Sequence, residues 1–275
     1  MGRKTILILL DACRFDLAEE TAGYLEHLIE RSCGAKYCVQ GELPSQSRPM
    51  YETTMTGLPS SVHGITDNEV VRRSDCENLF SLCRQNGLKT AAAAYYWMSE
   101  LYYRAPFCPE CDRYLAGNGD SLIDYGIFYY EDIYPDSHLY MDAEFLRKTY
   151  HPDFLLIHPM NIDDSGHRFG GDSPEYLRAG LRSFEQIARL LPGWLSEGYQ
   201  VVVTADHGMS AGGYHGGNRE PQRLIPLYIF ADGVKNGDFS DRRISQLNTA
   251  PLVCRLLGIP PAEAMMQELE IEMAD

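Results

Sequence analysis

The chain has 275 residues, 44% of them hydrophobic, and a formal net charge of −15. This length is enough to bury a large core without disulfides, so the eight cysteines are expected to be free thiols. The acidic balance argues against a nucleic-acid duplex or an anionic membrane surface as a partner, because both would repel the chain.

The first predicted element is a buried strand, Thr5–Leu10, which is followed directly by Asp11. Basic residues precede it, as in a signal peptide, but the apolar run Ile6–Leu10 is short and no small-residue cleavage site follows. Nowhere is there an apolar stretch long enough to cross a bilayer. We therefore expect a cytoplasmic protein with no membrane partner. Because no linker or repeat divides the sequence, we also expect a single domain over residues 1–275.

Helical patterns separate the predicted strands. Asp75–Asn86 has apolar residues at helical spacing and stops before Gly87, and Ser173-Pro174 opens a long amphipathic helix. Farther on, a strand at Leu224–Phe230 precedes a helix near Pro251–Leu257. This alternation predicts an α/β fold, a helix–sheet–helix sandwich around a mostly parallel sheet.

Two more buried strands are predicted at Asp153–His158 and Gln200–Thr204. Like the first strand, both are followed by polar residues that can bind metal, namely Asp163, His167, Asp206 and His207. Sites in open α/β sheets form just beyond the carboxyl ends of the strands. The repeated pattern therefore predicts that these side chains meet Asp11 at one edge of a sheet.

The segment from about residue 95 to 150 differs in composition from the rest of the chain. Eleven of the 18 tyrosines fall there, and helical periodicity is weak. We interpret it as a small tyrosine-rich cap insertion at about 95–150. The simpler alternative is a tyrosine-rich packed loop region, and the functional one is a wall that stacks against an aromatic leaving group or base.

Three aspartates and three histidines form a candidate ligand set: Asp11, Asp163, His167, Asp206, His207 and His215. Carboxylates and imidazoles together suit a pair of divalent ions such as zinc, and manganese or iron would tolerate the same oxygen-rich ligands. Clustered carboxylates repel one another unless cations balance them. Taken singly, an Asp-His-Gly triplet or a loop histidine is more often structural, so the prediction depends on the whole set.

In chain order, these residues stand in motifs that resemble the alkaline phosphatase superfamily, most closely its nucleotide pyrophosphatase/phosphodiesterase branch. The resemblance extends from Ile6 to about Ile259 and implies an alkaline-phosphatase-like fold. Besides Asp11 and His215, it rests on Leu43-Pro-Ser-Gln-Ser-Arg-Pro49, Thr56-Gly-Leu-Pro59, His63-Gly-Ile65, Asp67-Asn68, Asp163-Asp-Ser-Gly-His167 and Asp206-His-Gly208.

Matched residue by residue, the resemblance implies two divalent metal ions. One would be held by Asp11, Asp206 and His207, with Ser47 bound to it as the nucleophile. The other would be held by Asp163, His167 and His215. Ser47 would attack phosphorus in line, and the resulting phosphoseryl intermediate would be hydrolysed by water. Asn68 would stabilise charge on the phosphoryl oxygens. The implied activity is a phosphodiesterase or nucleotide pyrophosphatase that acts on a small phosphate ester such as a nucleotide.

Two positions depart from this branch. Many members use threonine followed by an aromatic residue, whereas here Ser47 is followed by Arg48. The Arg48 guanidinium either binds a phosphate dianion, as monoesterases need, or points outward to a surface carboxylate.

Tyr96 aligns with a stretch near the leaving-group pocket and is a candidate substrate contact. Tyr51 stands where a sulfatase would carry arginine, which argues against a sulfatase.

Three alternatives use the same residues. The first is a phosphomonoesterase or phosphonate hydrolase. The second is a transferase whose phosphoseryl intermediate passes its phosphoryl group to an acceptor other than water. The third is a catalytically silent metal-binding protein of the same fold, against which the complete ligand set argues. No pattern in the sequence indicates an oligomeric state.

Overall fold

A computed structural model of the chain describes residues 4–117 and 121–274. Within these ranges a nine-stranded sheet has the order β4-β5-β3-β6-β1-β7-β8-β2-β9. The strands are β1 (Lys4–Leu10), β2 (Ala35–Gln40), β3 (Thr90–Tyr95), β4 (Tyr114–Ala116), β5 (Tyr125–Tyr129), β6 (Phe154–Ile157), β7 (Tyr199–Ala205), β8 (Leu224–Phe230) and β9 (Gly237–Ser245).

The centre of the sheet is parallel. β1 pairs in parallel with β6 on one side and with β7 on the other, and β3 continues the parallel order beyond β6. β8 is antiparallel to both β7 and β2, and β4 is antiparallel to β5. Residues Ile6–Leu10 are fully buried, because a central parallel strand is covered on both faces and therefore has a continuous apolar sequence.

The helices are α1 (Phe15–Thr21), α2 (Gly23–Glu30), α3 (Ser47–Thr56), α4 (Ser60–His63), α5 (Leu79–Gln85), α6 (Tyr96–Tyr102), α7 (Pro109–Asp112), α8 (Asp136–Tyr150), α9 (Asn161–Phe169), α10 (Pro174–Ser196), α11 (Glu220–Arg223) and α12 (Thr249–Leu257). α1, α8 and α9 pack on α10, whereas α3 and α5 pack on α12, and the sheet contacts members of both groups. The predicted α/β sandwich around a mostly parallel sheet is confirmed. No helix in the described ranges is both long and apolar enough to span a membrane.

Local sequence signals explain where two of the helices begin. Ser173 accepts a hydrogen bond from the Tyr176 backbone N–H, at 3.1 Å, and Pro174 occupies the first helical position of α10. The helix predicted from Asp75 begins later, at Leu79, because the Asn78 side chain caps it in a reciprocal bond with Ser81.

Part of the tyrosine-rich segment, residues 95–150, belongs to the main sheet and to its packing. β5 pairs in register with β3 in the main sheet, and α8 packs against β3, β5 and β6. Several of its tyrosines are ordinary core residues, since Tyr102, Tyr129 and Tyr140 are at most 2% exposed. α6, α7 and α8 lie outside the sheet itself, and α6 and α8 contact its strands. A strand such as Tyr125–Tyr129 has little periodicity of its own, so its place in the main sheet could not be predicted from the sequence.

Candidate metal centre

The candidate ligands lie at the carboxyl ends of the three central strands. Asp11 follows β1 and Asp206 follows β7. Because these two strands pair in parallel, the two aspartates lie side by side at the same edge of the sheet. After β6, the chain turns into α9, which carries Asp163 and His167 on one face at a spacing of four residues. His215 lies on the loop between β7 and α11.

Asp163, His167 and His215 form one compact group. The Nε2 atoms of the two histidines are 3.0 Å apart, and Asp163 Oδ1 lies 3.4 Å from His167 Nε2 and 3.8 Å from His215 Nε2. One potential ligand atom from each residue lies within 4.8 Å of the others, which is close enough to surround a single ion.

Backbone carbonyls fix the orientation of all three imidazoles. His167 Nδ1 is 2.9 Å from Gly213 O, His215 Nδ1 is 3.0 Å from Ser45 O, and His207 Nδ1 is 2.9 Å from Gly208 O. A carbonyl oxygen only accepts, so each Nδ1 carries the proton and each Nε2 presents its lone pair to the site. The Nε2 atoms of His167 and His215 lie 3.0 Å apart, so a cation between them could be bound by both rings when both are neutral.

The loop that carries His215 depends on Gly213. This residue has φ +80°, and a Cβ atom added there would lie 2.7 Å from the carbonyl oxygen of Gly166. A side chain would therefore separate the loop from α9. Glycine at this position allows the close approach that brings His215 beside His167.

A second group surrounds His207. Its Nε2 atom lies 3.2 Å from Asp206 Oδ2 and 3.6 Å from Asp11 Oδ1. Asp11, Asp163 and His207 also offer ligand atoms within 4.8 Å of one another, so Asp163 connects the two groups. Asp206 Oδ1 is engaged by the Ala12 backbone N–H at 3.0 Å, which leaves its Oδ2 atom facing His207.

Three carboxylate oxygens make this cluster fit divalent cations. Asp11 Oδ1, Asp163 Oδ1 and Asp206 Oδ2 are buried and have no hydrogen-bond partner. Leaving a buried carboxylate oxygen unpaired is costly, and the usual resolution in proteins is a paired charge or a coordinated metal. Mixed imidazole and carboxylate donors are those that zinc and similar ions accept.

The pKa values describe the same imbalance of charge. Burial, reinforced by the charge of Asp11, raises the pKa of Asp163 and of Asp206 well above the ordinary range. Burial alone would also raise the pKa of Asp11, but its contact with His158 and the nearby imidazoles lower it to about 2. Burial lowers the pKa of His207 to about 3 and also lowers that of His215, so both are neutral ligands at physiological pH.

Ser47 is the first residue of α3 and is 5% exposed. Its hydroxyl oxygen lies 3.1 Å from His207 Nε2, at the edge of the second group. Asn68 is held beside it, since the Asn68 amide oxygen accepts a 3.0 Å hydrogen bond from the Arg48 backbone N–H. That bond occupies the oxygen of the Asn68 amide and leaves its two N–H donors for another acceptor.

Arg48 is buried and does not point outward to a surface carboxylate. It is 1% exposed, its guanidinium donates a 2.7 Å bond to Glu100, and its central carbon lies 4.4 Å above the Trp97 ring. A buried guanidinium needs a counter-charge, and Glu100, itself 4% exposed, supplies it. Arg48 therefore connects α3 to α6, while its Nε and Nη1 atoms are buried without a hydrogen-bond partner, and its contact with a substrate stays a prediction.

Tyr96, the other predicted substrate contact, is half-buried at the start of α6. Its ring packs against those of Tyr95, Trp97 and Phe107, with centroid distances of 4.6, 6.1 and 5.2 Å. None of these three neighbours is a candidate metal ligand. A contact between Tyr96 and a leaving group stays a prediction.

Two buried residues at the site were not predicted. Tyr51 donates a short hydrogen bond to Asp11 Oδ2, and His158 Nε2 lies 3.3 Å from the same oxygen. His158 closes a predicted strand but belongs to no motif that we recognised. Tyr51 lies four residues after Ser47, so helical spacing places both on one face of α3, and this was the signal available in the sequence.

Comparison with known proteins agrees with this geometry. Residues 5–220 match the family model described as type I phosphodiesterase/nucleotide pyrophosphatase. Among curated relatives, the catalytic subunit of human GPI ethanolamine phosphate transferase 2 is 23% identical over 274 residues, which cover 94% of this chain and 26% of that protein. For the mouse GPI ethanolamine phosphate transferase 3 catalytic subunit, the identity is 23% and the coverage is 94% and 24%. The chain therefore spans about a quarter of the length of these relatives.

Solved structures share the fold at low identity. Murine ectonucleotide pyrophosphatase/phosphodiesterase 5 superposes with a TM-score of 0.74 at 12% identity and covers 94% of this chain and 96% of that one. The alkaline phosphatase PafA gives a TM-score of 0.71 at 12% identity, with 98% of both chains covered. The family match over most of the chain shows that the chain belongs to the type I phosphodiesterase/nucleotide pyrophosphatase family, and the solved structures show the fold that it shares.

Proposed function

We propose that this chain is a metal-dependent phosphodiesterase of the nucleotide pyrophosphatase type that acts through a phosphoseryl intermediate on Ser47. The observation that supports this most directly is the position of the Ser47 hydroxyl, 3.1 Å from His207 Nε2 and beside three unpaired buried carboxylate oxygens. A serine at the start of a helix and at the edge of a cation site is arranged for nucleophilic attack on a phosphorus ester.

The chain's own residues supply the binding and the positioning. Asp11, Asp206 and His207 would hold one divalent ion, and Asp163, His167 and His215 would hold the other, with zinc as the preferred metal. When bound, such ions lower the pKa of a coordinated hydroxyl and balance negative charge as it develops. Asn68 would donate its amide hydrogens to a phosphoryl oxygen, and preorganised donors of this kind contribute about 3 kcal/mol each to transition-state stabilisation.

In the proposed reaction, the Ser47 oxygen forms a bond to phosphorus as the bond to the leaving alkoxide breaks. The Ser47 proton leaves with the departing group or with solvent. Water then attacks the phosphoseryl group, which releases a phosphate product and restores the serine.

The surroundings of Ser47 favour a diester over a monoester. A monoester dianion carries one more negative charge and needs an additional cation beside the nucleophile. Arg48, the neighbour that would supply this cation, is buried against Glu100 with its charge already balanced. The murine pyrophosphatase/phosphodiesterase 5 has been solved as an inactive variant in complex with AMP, so a nucleotide is a reasonable first substrate to test.

A phosphoryl transferase is the second candidate. It is favoured by a specific finding, the 23% identity to GPI ethanolamine phosphate transferases that covers 94% of this chain. Both candidates share the attack by Ser47 and differ only in what accepts the phosphoryl group from the phosphoseryl intermediate. A hydrolase uses water for this step, whereas a transferase uses an alcohol.

The test is the hydrolysis of a nucleoside p-nitrophenyl phosphodiester beside p-nitrophenyl phosphate, with zinc and then with manganese supplied. We expect the wild-type chain to prefer the diester. Ser47→Ala should lose turnover by several orders of magnitude while retaining its metal. The control is Ser61→Ala, which changes an exposed serine on α4 and should retain activity.

Four outcomes would change the proposal. Retained turnover in Ser47→Ala would exclude Ser47 as the nucleophile. A monoester preference would favour a phosphomonoesterase, and p-nitrophenol release that rises with added primary alcohol, with a new alkyl phosphate as product, would favour the transferase. Stoichiometric metal without turnover of any phosphorus ester would favour a silent metal-binding protein.

A further inference from the structure

Asp11 uses its two carboxylate oxygens in different ways. Its Oδ1 atom is buried, lacks a hydrogen-bond partner and lies 3.6 Å from His207 Nε2 in the ligand cluster. Its Oδ2 atom accepts the short bond from the Tyr51 hydroxyl and lies 3.3 Å from His158 Nε2. One oxygen therefore faces the metal position and the other faces the protein.

The side-chain conformation of Tyr51 is fixed by its packing. The whole side chain is fully buried, and its ring packs edge-on against His158 with centroids 4.6 Å apart. The Trp97 ring packs against another side of the Tyr51 ring, with a distance of 6.2 Å between the ring centroids. A rotamer fixed by packing gives its hydroxyl a fixed direction, and that direction is toward Asp11.

We infer that Tyr51 is a positioning residue, which holds Asp11 so that only one carboxylate oxygen binds the metal. His158 packs against the Tyr51 ring and keeps it in place. By occupying Oδ2, the hydroxyl prevents Asp11 from turning to offer both oxygens, and it orients Oδ1 toward the cation. Hydrogen bonds to metal ligands tune affinity in this way, and their loss costs about 10–100-fold in metal affinity.

The same contact links the metal site to Ser47. Tyr51 and Ser47 lie one turn apart on α3, so the bond to Asp11 attaches the helix that carries the serine to the end of β1. Tyr51 thus determines the distance between the Ser47 hydroxyl and the ion that Asp11 would hold. This inference rests on the proposed metal centre, but metal affinity can be measured without turnover.

The test compares two substitutions that each remove one buried hydroxyl from a carboxylate. Tyr51→Phe loses the bond to Asp11. The matched control, Tyr102→Phe, loses a 2.7 Å bond from a fully buried tyrosine to Glu52. Zinc affinity is measured by titration against a competing chelator, with thermal unfolding of the metal-free proteins as the measure of structural damage.

We expect both variants to lose comparable thermal stability when metal-free, and only Tyr51→Phe to bind zinc about 10–100-fold more weakly. Equal zinc affinity in wild type and Tyr51→Phe would overturn the inference and leave the metal centre intact. Equal weakening in both variants would also overturn it, because the effect would then be a general loss of packing. A wild-type chain that binds no zinc or manganese would overturn the metal centre and this inference together.

Discussion

His63 is a buried imidazole with both ring nitrogens in use, and its charge state should affect stability. Its Nδ1 accepts a 3.1 Å bond from the Ile65 backbone N–H, so Nε2 carries the hydrogen that faces Thr53 Oγ at 2.9 Å. Protonation of Nδ1 would break the bond to Ile65. Burial, with the charge of Arg72, lowers the pKa of His63 to about 4.

The direction of the pH effect follows from the pH at which the folded and the unfolded chain each bind a proton on His63. The unfolded chain takes it up near pH 6.5, and the folded chain only near pH 4. The contribution of His63 is therefore fully present above about pH 6.5 and is lost as the pH falls toward about 4. We expect His63→Gln to be less stable than wild type near about pH 8 and to lose less stability on acidification.

Chemical denaturation at several pH values checks this prediction. The control is His27→Gln, which removes an imidazole whose side chain is 62% exposed, and its profile should follow wild type. If His63→Gln and wild type lose stability in parallel between about pH 7 and pH 5, the prediction is wrong.

The metal ligands could be predicted from the sequence pattern, whereas the residues that hold them in place could not. Asp11, Asp206 and His207 directly follow buried strands, so their position at the sheet edge could be predicted from the apolar runs alone. Tyr51 and His158 could not be assigned this way. Tyr51 contacts Asp11 from α3, and His158 contacts it from the end of β6, the parallel neighbour of β1, so both contacts depend on segments that are distant in the sequence.

The ion pair between α3 and α6 is the feature to test at the scale of elements. Arg48 and Glu100 are both buried, and Glu100 also accepts a 2.9 Å bond from the Phe107 backbone N–H. Glu100→Gln keeps the shape but leaves the Arg48 cation without a counter-charge. Removing one partner of a buried pair costs about 3–5 kcal/mol, and we expect a loss of unfolding free energy of this size.

Urea unfolding measures the loss, and a surface pair provides the comparison. Arg178 and Glu175 pair on α10 with side chains 55% and 38% exposed, so Glu175→Gln should cost about 1 kcal/mol or less. A double variant, Arg48→Met with Glu100→Leu, should recover most of the stability by removing both charges. Similar small losses in the two single variants would contradict a buried, charge-dependent pair.

Prediction of the elements succeeded where pattern and environment agree. β8 was predicted over its observed range, Leu224–Phe230, because it is apolar throughout. β3 was not predicted, since four consecutive alanines have low strand propensity and are extended only through pairing with β5 and β6. β9 was missed as well. Its residues are polar and largely exposed, because β9 lies at the edge of the sheet. They therefore show no hydrophobic pattern.

Removal of metal should destabilise the whole molecule. The buried carboxylates of Asp11, Asp163 and Asp206 face one another, and a bound cation would offset their repulsion. Ligand at 100 times its dissociation constant stabilises a folded protein by about 2.7 kcal/mol. We expect chelation to lower the melting temperature and added zinc to restore it.

Scanning calorimetry before and after dialysis against EDTA tests this expectation. Asp163→Asn serves as the reference, because it removes the carboxylate shared by the two ligand groups and should respond much less to zinc. An unchanged melting temperature after complete removal of metal, verified by elemental analysis, would contradict a cation-balanced centre.

The sheet order has a consequence for synthesis of the chain on the ribosome. β2 ends seven residues before Ser47, but its two partners in the sheet, β8 and β9, begin only at Leu224 and Gly237. The strand before the serine therefore cannot pair until Leu224 and the residues after it have been synthesised. We expect a stalled nascent chain that ends before β8 to keep the Ser47 segment accessible to protease, so the residue proposed to act first in the chemistry would be among the last to reach its place.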